Sequence, residues 1–333
     1  MQDRMLFVIS PPRAGSTLLQ RMLGSHSQIF TYPEPHLISP LAFLGYHDLV
    51  DKAPYDHINA AEAIKTFVAG LPNGERDYLD ALRAYTDTLY GRMLAPSGKR
   101  YFLDKTPANA LVLPFLTRLY PNARYVVLTR HPLAVASSYA NSFFDGDWHA
   151  ATQFNPIANR YVPAIARLLR NPPAALIQVG YEQLVSNPAQ ELAKLFAFLG
   201  LADEPQAVNY GQHFDSSRPG MGDPITVHAQ SRPVDSSIDK WVTELAGDPK
   251  KLELAAEIVA ALDPDDVRLW GFDKPQLLAP VAQASGGSYK PPKANNYIWQ
   301  RRIMLALKRD IRARPHGKML EKVRYYCNVL LRE

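Results

Sequence analysis

The run Met5-Leu6-Phe7-Val8-Ile9-Ser10-Pro11-Pro12-Arg13-Ala14-Gly15-Ser16-Thr17-Leu18-Leu19 decides the fold. Residues 5–10 form a short apolar stretch rich in Phe, Val and Ile, which reads as a buried strand. From Gly15 onward, Leu18, Leu19, Met22 and Leu23 recur at helical spacing, so a helix opens directly after the loop. Strand, glycine-containing loop and helix together make an anion site. The first N–H groups of the helix and the positive end of its dipole point at whatever sits in the loop. Gly15 lets the backbone approach the anion, Ser16 and Thr17 add hydroxyl donors, and Arg13 adds a fixed charge with several donors.

This loop is not a Walker A motif, which needs lysine directly before Ser/Thr in G-x-x-x-x-G-K-[ST]. Here Gly15 precedes Ser16, and the basic residue stands three positions earlier. The second apolar strand, residues 124–129, ends in Thr129-Arg130 and not in an acidic ligand for magnesium. Arg130 leaves that strand at its carboxyl end, where open α/β sheets bind ligands. Ser138 lies eight residues on, within a helix at 133–142, and can reach the same phosphate.

Outward from this core, residues 101–104 and 175–179 read as further strands. Residues 59–70, 76–95, 108–119, 159–170, 188–199 and 250–262 read as helices. Strands separated by helices imply a parallel sheet. The expected fold is α/β and P-loop-NTPase-like, with three layers, a central parallel sheet flanked by helices, and a C-terminal helical extension. Residues 211–240 are rich in Gly, Pro and Ser and read as a long functional loop. Residues 1–274 form the expected main domain. Residues 275–293 carry Pro275, Pro280, Pro291, Pro292 and Gly286-Gly287-Ser288, and read as a linker. Residues 294–333 read as two basic helices split at Pro315-His316-Gly317, with Met319, Val323, Tyr326 and Leu330 on one face of the second.

Pro12-Arg13-Ala14-Gly15-Ser16-Thr17-Leu18 resembles the 5′-phosphosulfate loop of the sulfotransferases that use 3′-phosphoadenosine 5′-phosphosulfate (PAPS). Its common forms are P-K-S-G-T-T-W and P-R-S-G-T-T-L, and Ala14 and Ser16 depart from the usual Ser and Thr. The arginine form is similar to the bacterial and tyrosylprotein branch. Arg130 followed by Ser138 resembles the family's 3′-phosphate motif. Leu103-Asp104-Lys105-Thr106-Pro107 and Gly180-Tyr181-Glu182-Gln183-Leu184 resemble two further family segments.

The resemblance implies an O-sulfotransferase that carries a sulfuryl group from PAPS to a hydroxyl by in-line displacement and releases adenosine 3′,5′-bisphosphate (PAP). It implies no metal. Arg13 and Lys105 would flank the transferred group. Ala14, Gly15, Ser16 and Thr17 would hold the 5′-phosphosulfate, Arg130 and Ser138 the 3′-phosphate. Tyr181 would lie near the nucleotide, and Arg232 would close over the phosphates from the long loop. Where the cytosolic branch has a histidine after the lysine, this chain has Pro107, so Glu34 is the expected general base and His36 its rival. Phe143, Phe144, Trp148 and His213 are candidates for the acceptor pocket, although Phe and Trp there also suit core packing. His131 is expected only to order its loop. The competing readings are a P-loop kinase and a non-catalytic nucleotide-binding protein.

The chain has 333 residues, 47% of them hydrophobic, enough for a sizeable core. Its single cysteine, Cys327, excludes an internal disulfide and fits a reducing compartment. No stretch nears the ~20 apolar residues of a membrane span, and the opening apolar run is too short for a signal peptide, so a cytoplasmic protein is expected. Residues 290–333 hold 12 Lys/Arg against 3 Asp/Glu, so a net charge of +5 overall leaves the rest at −4. The basic character therefore belongs to the tail, and nucleic acid is not an expected partner. The tail has three readings: packing on the domain, lying on an anionic membrane, or docking an acidic carrier protein. The acceptor stays open among tyrosyl peptide, sugar, lipid hydroxyl and carrier-bound chain.

Overall fold

A computed structural model describes residues 1–48, 50, 56–213 and 230–284, together with Met319 and Val323. The rest of the basic tail, Cys327 and the side chain of His213 lie outside the described residues. Met319 and Val323 are helical and exposed.

Five strands form one sheet: β1 (Met5–Ile9), β2 (Ile29–Pro33), β3 (Tyr101–Lys105), β4 (Arg124–Thr129) and β5 (Leu176–Gly180). Their order is β2-β3-β1-β4-β5, and every neighbouring pair is parallel. All of β1 and β3 is buried; β1 and the first three residues of β3 are apolar, as suits a covered parallel sheet, and β3 then ends in the buried Asp104 and Lys105. The chain starts at central β1, moves outward to β2, returns through β3, and then crosses to β4. The winding therefore reverses beside β1, where connecting loops diverge and open a crevice at the carboxyl edge.

The α/β expectation holds, with three differences of detail. Strand β2 is not evident in the sequence, because five residues are too few to show a period and Pro33 reads as a break. Pro33 is tolerated because it ends an edge strand. Gln20 ties that strand to the helix Ser16–Gly24 by donating to Thr31 Oγ1 at 2.8 Å and to the Tyr32 carbonyl at 3.1 Å. The segment expected as one helix over 108–119 divides into a 3-10 turn, Pro107–Leu111, and a helix, Leu113–Leu119. Pro114 starts the second piece, since a proline lacks the N–H that a continuing helix would use.

The third difference moves the domain boundary. Residues 275–284 are not linker: Leu277 and Val281 are buried in the main core, and a short helix runs over Ala279–Gln283. The proline content there starts helical turns at Pro275 and Pro280 and does not extend the chain.

Candidate active site

In a parallel sheet all carboxyl ends share one edge, and here each strand hands a chemical group to it. β1 runs into the loop of residues 10–15. β2 is followed by Glu34, β3 ends in Lys105, β4 is followed by Arg130 and β5 by Tyr181. Register does the fine placement: Pro33 pairs with Lys105 and Thr129 with Gly180. Glu34 therefore meets Lys105, and Arg130 meets Tyr181.

The loop closes on itself with Arg13 and Gly15 both left-handed, at φ 70° and 96°. Gly15 then caps the helix Ser16–Gly24. A side chain at Gly15 is excluded twice, by φ and by space: a Cβ would lie 2.4 Å from Cδ2 of Tyr181. On that same ring the Arg130 guanidinium sits 4.2 Å from the centroid.

Arg130 is only 7% exposed. It donates to the Arg13 carbonyl at 3.0 Å and to the Ser237 carbonyl at 2.7 Å, while its Nε is buried without a hydrogen-bond partner. Burial draws its pKa downward. Arg13 Nε donates to Ser138 Oγ at 3.3 Å, so the loop and the helix Pro132–Phe143 are in direct contact. These groups line one wall of a cleft of about 330 Å³, and Tyr210, Ser237, Lys240 and Trp241 line another. His131 stacks on Trp241 with centroids 4.1 Å apart, and its backbone N–H donates to Glu182 Oε1 at 3.0 Å. Burial holds the His131 pKa down at about 4, so the ring is neutral near pH 7. The stacked ring sits beside the end of β4.

Lys105, 1% exposed, forms an ion pair with Glu34 and donates to Thr17 Oγ1 at 3.3 Å. Thr17 also lines the cleft, so it joins the anion cradle to the Lys105–Glu34 pair. Beneath them Asp104 is fully buried and accepts from Tyr90 Oη at 2.6 Å and Thr106 Oγ1 at 2.8 Å. Desolvation pushes its pKa up. His36 Nε2 stands 3.6 Å from Glu34 Oε2, beyond hydrogen-bonding distance. The arrangement offers an anion cradle, a shielded cation and a carboxylate along one edge.

The family model described as "Sulfotransferase family" matches residues 6–205. The chain belongs to the sulfotransferase family. It is 32% identical over 214 residues to nodulation protein NoeE of Sinorhizobium fredii, covering 58% of this chain and 49% of that one. The chain thus spans about half the length of that relative. It is 24% identical over 218 residues to a putative protein-tyrosine sulfotransferase of Caenorhabditis briggsae, covering 62% and 69%. The sulfotransferase domain of the Synechococcus PCC 7002 olefin synthase shares the fold, with TM-score 0.51, 24% identity and 80% and 93% coverage.

In this sulfotransferase-family chain the structure brings together Arg13, Ala14, Gly15, Ser16, Thr17, Arg130, Ser138 and Tyr181, and separately Glu34, His36 and Lys105. Arg232 is elsewhere. It lines a second groove with Asn187, Pro188 and Asn209, because Tyr210 holds its carbonyl at 3.3 Å beside that groove. The long loop contributes Gln230, Val234 and Ser237 to the cleft instead. Two of the aromatic candidates for the acceptor pocket are core residues. Phe144 is 6% exposed and Trp148 3%, with the indole N–H donating to Glu244 at 3.1 Å. Phe143 alone of the three is exposed, 5.9 Å from the Arg13 guanidinium.

Sequence reasoning missed Glu244. It accepts from Ser137 at 2.5 Å, Asn141 at 2.9 Å and Trp148, and pairs with Lys251 at 2.5 Å. It thereby anchors the helix that carries Ser138. No local pattern marks it, since three of these partners lie about a hundred residues earlier.

Proposed function

We propose that this chain transfers a sulfuryl group from PAPS to a hydroxyl acceptor and releases PAP. The observation that carries this reading is the contact between two anion-binding motifs, Arg13 Nε to Ser138 Oγ, with Arg130 held against the Arg13 carbonyl. A donor with phosphates at both its 5′ and 3′ positions matches two such motifs, and a triphosphate does not. The partnerless, buried Nε of Arg130 also suits an arriving anion, since a buried N–H without an acceptor is costly. The likeness to proteins named as sulfotransferases supports the same donor.

The residues then take the following parts. The loop and Ser16 and Thr17 hold the 5′-phosphosulfate, and Arg13 meets the charge that grows on the leaving phosphate. Glu34 takes the acceptor's hydroxyl proton as the acceptor oxygen bonds to sulfur and the sulfur–phosphate oxygen bond breaks. Protonation neutralises Glu34. Lys105 then no longer faces a carboxylate, and its charge is turned to the sulfuryl oxygens. Phe143 offers an apolar contact for the acceptor, which is a small-molecule, lipid or carrier-bound hydroxyl.

Calorimetry without metal tests the donor. PAP is expected to bind at least tenfold more tightly than ATP. Tighter ATP binding, or ATP turnover that depends on magnesium, would replace this reading with a kinase. Labelled PAPS offered with pooled hydroxyl compounds then identifies the acceptor.

A further inference from the structure

A base that accepts a proton in every cycle must also lose it, and Glu34 is poorly placed to do so alone. Its side chain is 15% exposed, and its partner Lys105 is 1% exposed. His36 is the nearby group with one foot in each environment. Its side chain is 39% exposed, yet its Nε2 is buried, has no hydrogen-bond partner, and stands 3.6 Å from Glu34 Oε2.

The backbone is bent to hold this relation. Glu34 and His36 are both left-handed, at φ 33° and 52°, with Pro35 fixed between them. Two non-glycine residues in that region within three positions are strained and persist only where the surroundings hold them. Among the described residues the charged groups around His36 are Glu34 on its own segment, and Asp104 and Lys105 at the end of β3. The nearest of these to Nε2 is the Glu34 carboxylate, at 3.6 Å.

We propose that His36 is a proton-relay residue that discharges Glu34 after each turnover, acting through Glu34 and not on the acceptor. This rests on the sulfuryl-transfer reading above. After transfer, Glu34 carries the acceptor's proton. A small side-chain rotation closes the gap, and the proton passes from the Glu34 carboxyl to Nε2 of a neutral ring whose hydrogen is on Nδ1. The ring then turns outward and Nε2 itself gives that proton to water, so the hydrogen on Nδ1 stays in place and the ring returns ready for the next cycle. Glu34 is again a carboxylate and re-forms its pair with Lys105. The balance is one proton from acceptor to solvent, with no other reactant.

The test compares His36→Gln with the unaltered full chain, using PAPS and two probe acceptors. Phenol arrives with its proton. 4-Nitrophenol at mildly alkaline pH arrives largely as the phenolate and has no proton to give. Turnover of phenol should fall about tenfold, turnover of 4-nitrophenol should stay within about twofold, and imidazole in the buffer should restore phenol turnover to His36→Ala. Equal losses on both acceptors would mean that His36 only shapes the site, and no loss on either would also overturn the relay. A second measurement needs no acceptor. Nitrogen-15 spectra of the PAP complex should show His36 with hydrogen on Nδ1 and a bare Nε2, and hydrogen fixed on Nε2 overturns the proposal. If the unaltered chain transfers from PAPS to no acceptor, it is the proposed function that fails; if it does transfer and the two acceptors respond alike to His36→Gln, it is the relay.

Discussion

Arg130 and Lys105 are both buried cations at carboxyl ends of strands, yet they are held differently. Arg130 rests on two backbone carbonyls, those of Arg13 and Ser237, and on the face of Tyr181. Dipoles and a ring hold it without cancelling its charge, and its Nε hydrogen is left without an acceptor. Lys105 rests on the Glu34 carboxylate and the Thr17 hydroxyl, and the carboxylate does cancel its charge. In the proposed reaction the Arg130 side is the donor half, held by backbone with its charge kept for an anion. The Lys105 side is then the acceptor half, held by side chains and neutral until a proton arrives. Binding and turnover should therefore be separable by mutation.

The largest effect should come from Gly15→Ala. The new methyl would meet the Tyr181 ring and strain a φ of 96°, so PAP affinity should fall by about a hundredfold or more, with about 3 kcal/mol lost from unfolding stability. Calorimetry and urea titration measure the two. Lys105→Met should do the reverse, cutting turnover from PAPS by roughly 10²–10³-fold while PAP affinity changes little. A large loss of PAP affinity in that variant would break the distinction between the halves.

Acid sharpens the same comparison. His131 lies under the donor half with its pKa held at about 4, against an ordinary 6.5. Between those values the unfolded chain takes up a proton that the folded chain refuses, so stability falls as pH drops from about 6.5 toward 4. Above that window the contribution is fully present. The loss should approach about 3 kcal/mol, and His131→Gln should flatten the slope in urea titrations across that range. The smallest effect is expected of Trp148→Phe, which removes one donor from Glu244 beneath the helix of Ser138. About 1 kcal/mol of stability should be lost, with PAP affinity reduced by less than about fivefold.

The donor half was largely legible in the sequence, because its groups sit at fixed offsets from strand ends. Arg13, Gly15, Arg130 and Tyr181 each follow an apolar run that announces the strand. The acceptor half was half legible. Glu34 and Lys105 stood out, but the strand that places Glu34 did not, since β2 is short and ends in proline. The walls were least legible. Trp148 and Phe144 face the core because Asp147 starts an extra helix there, and side-chain direction on so short a helix has no period to read. Arg232 missed the cleft and Ser237 entered it, a choice made by tertiary packing of Tyr210 within an aperiodic segment. Glu244 gathers partners from the other end of the domain, which no local spacing encodes.

Trp241 forms a wall of the cleft and stacks on His131. That position also makes it an optical gauge. Its indole is 3% exposed, and so emits from a shielded setting next to the proposed nucleotide site. An adenine-bearing ligand entering the cleft brings a π-system within range of that emission. Because His131 is neutral near pH 7, the imidazole beneath the indole does not act as a charged quencher there. Occupancy of the site can thus be followed by light, without a label.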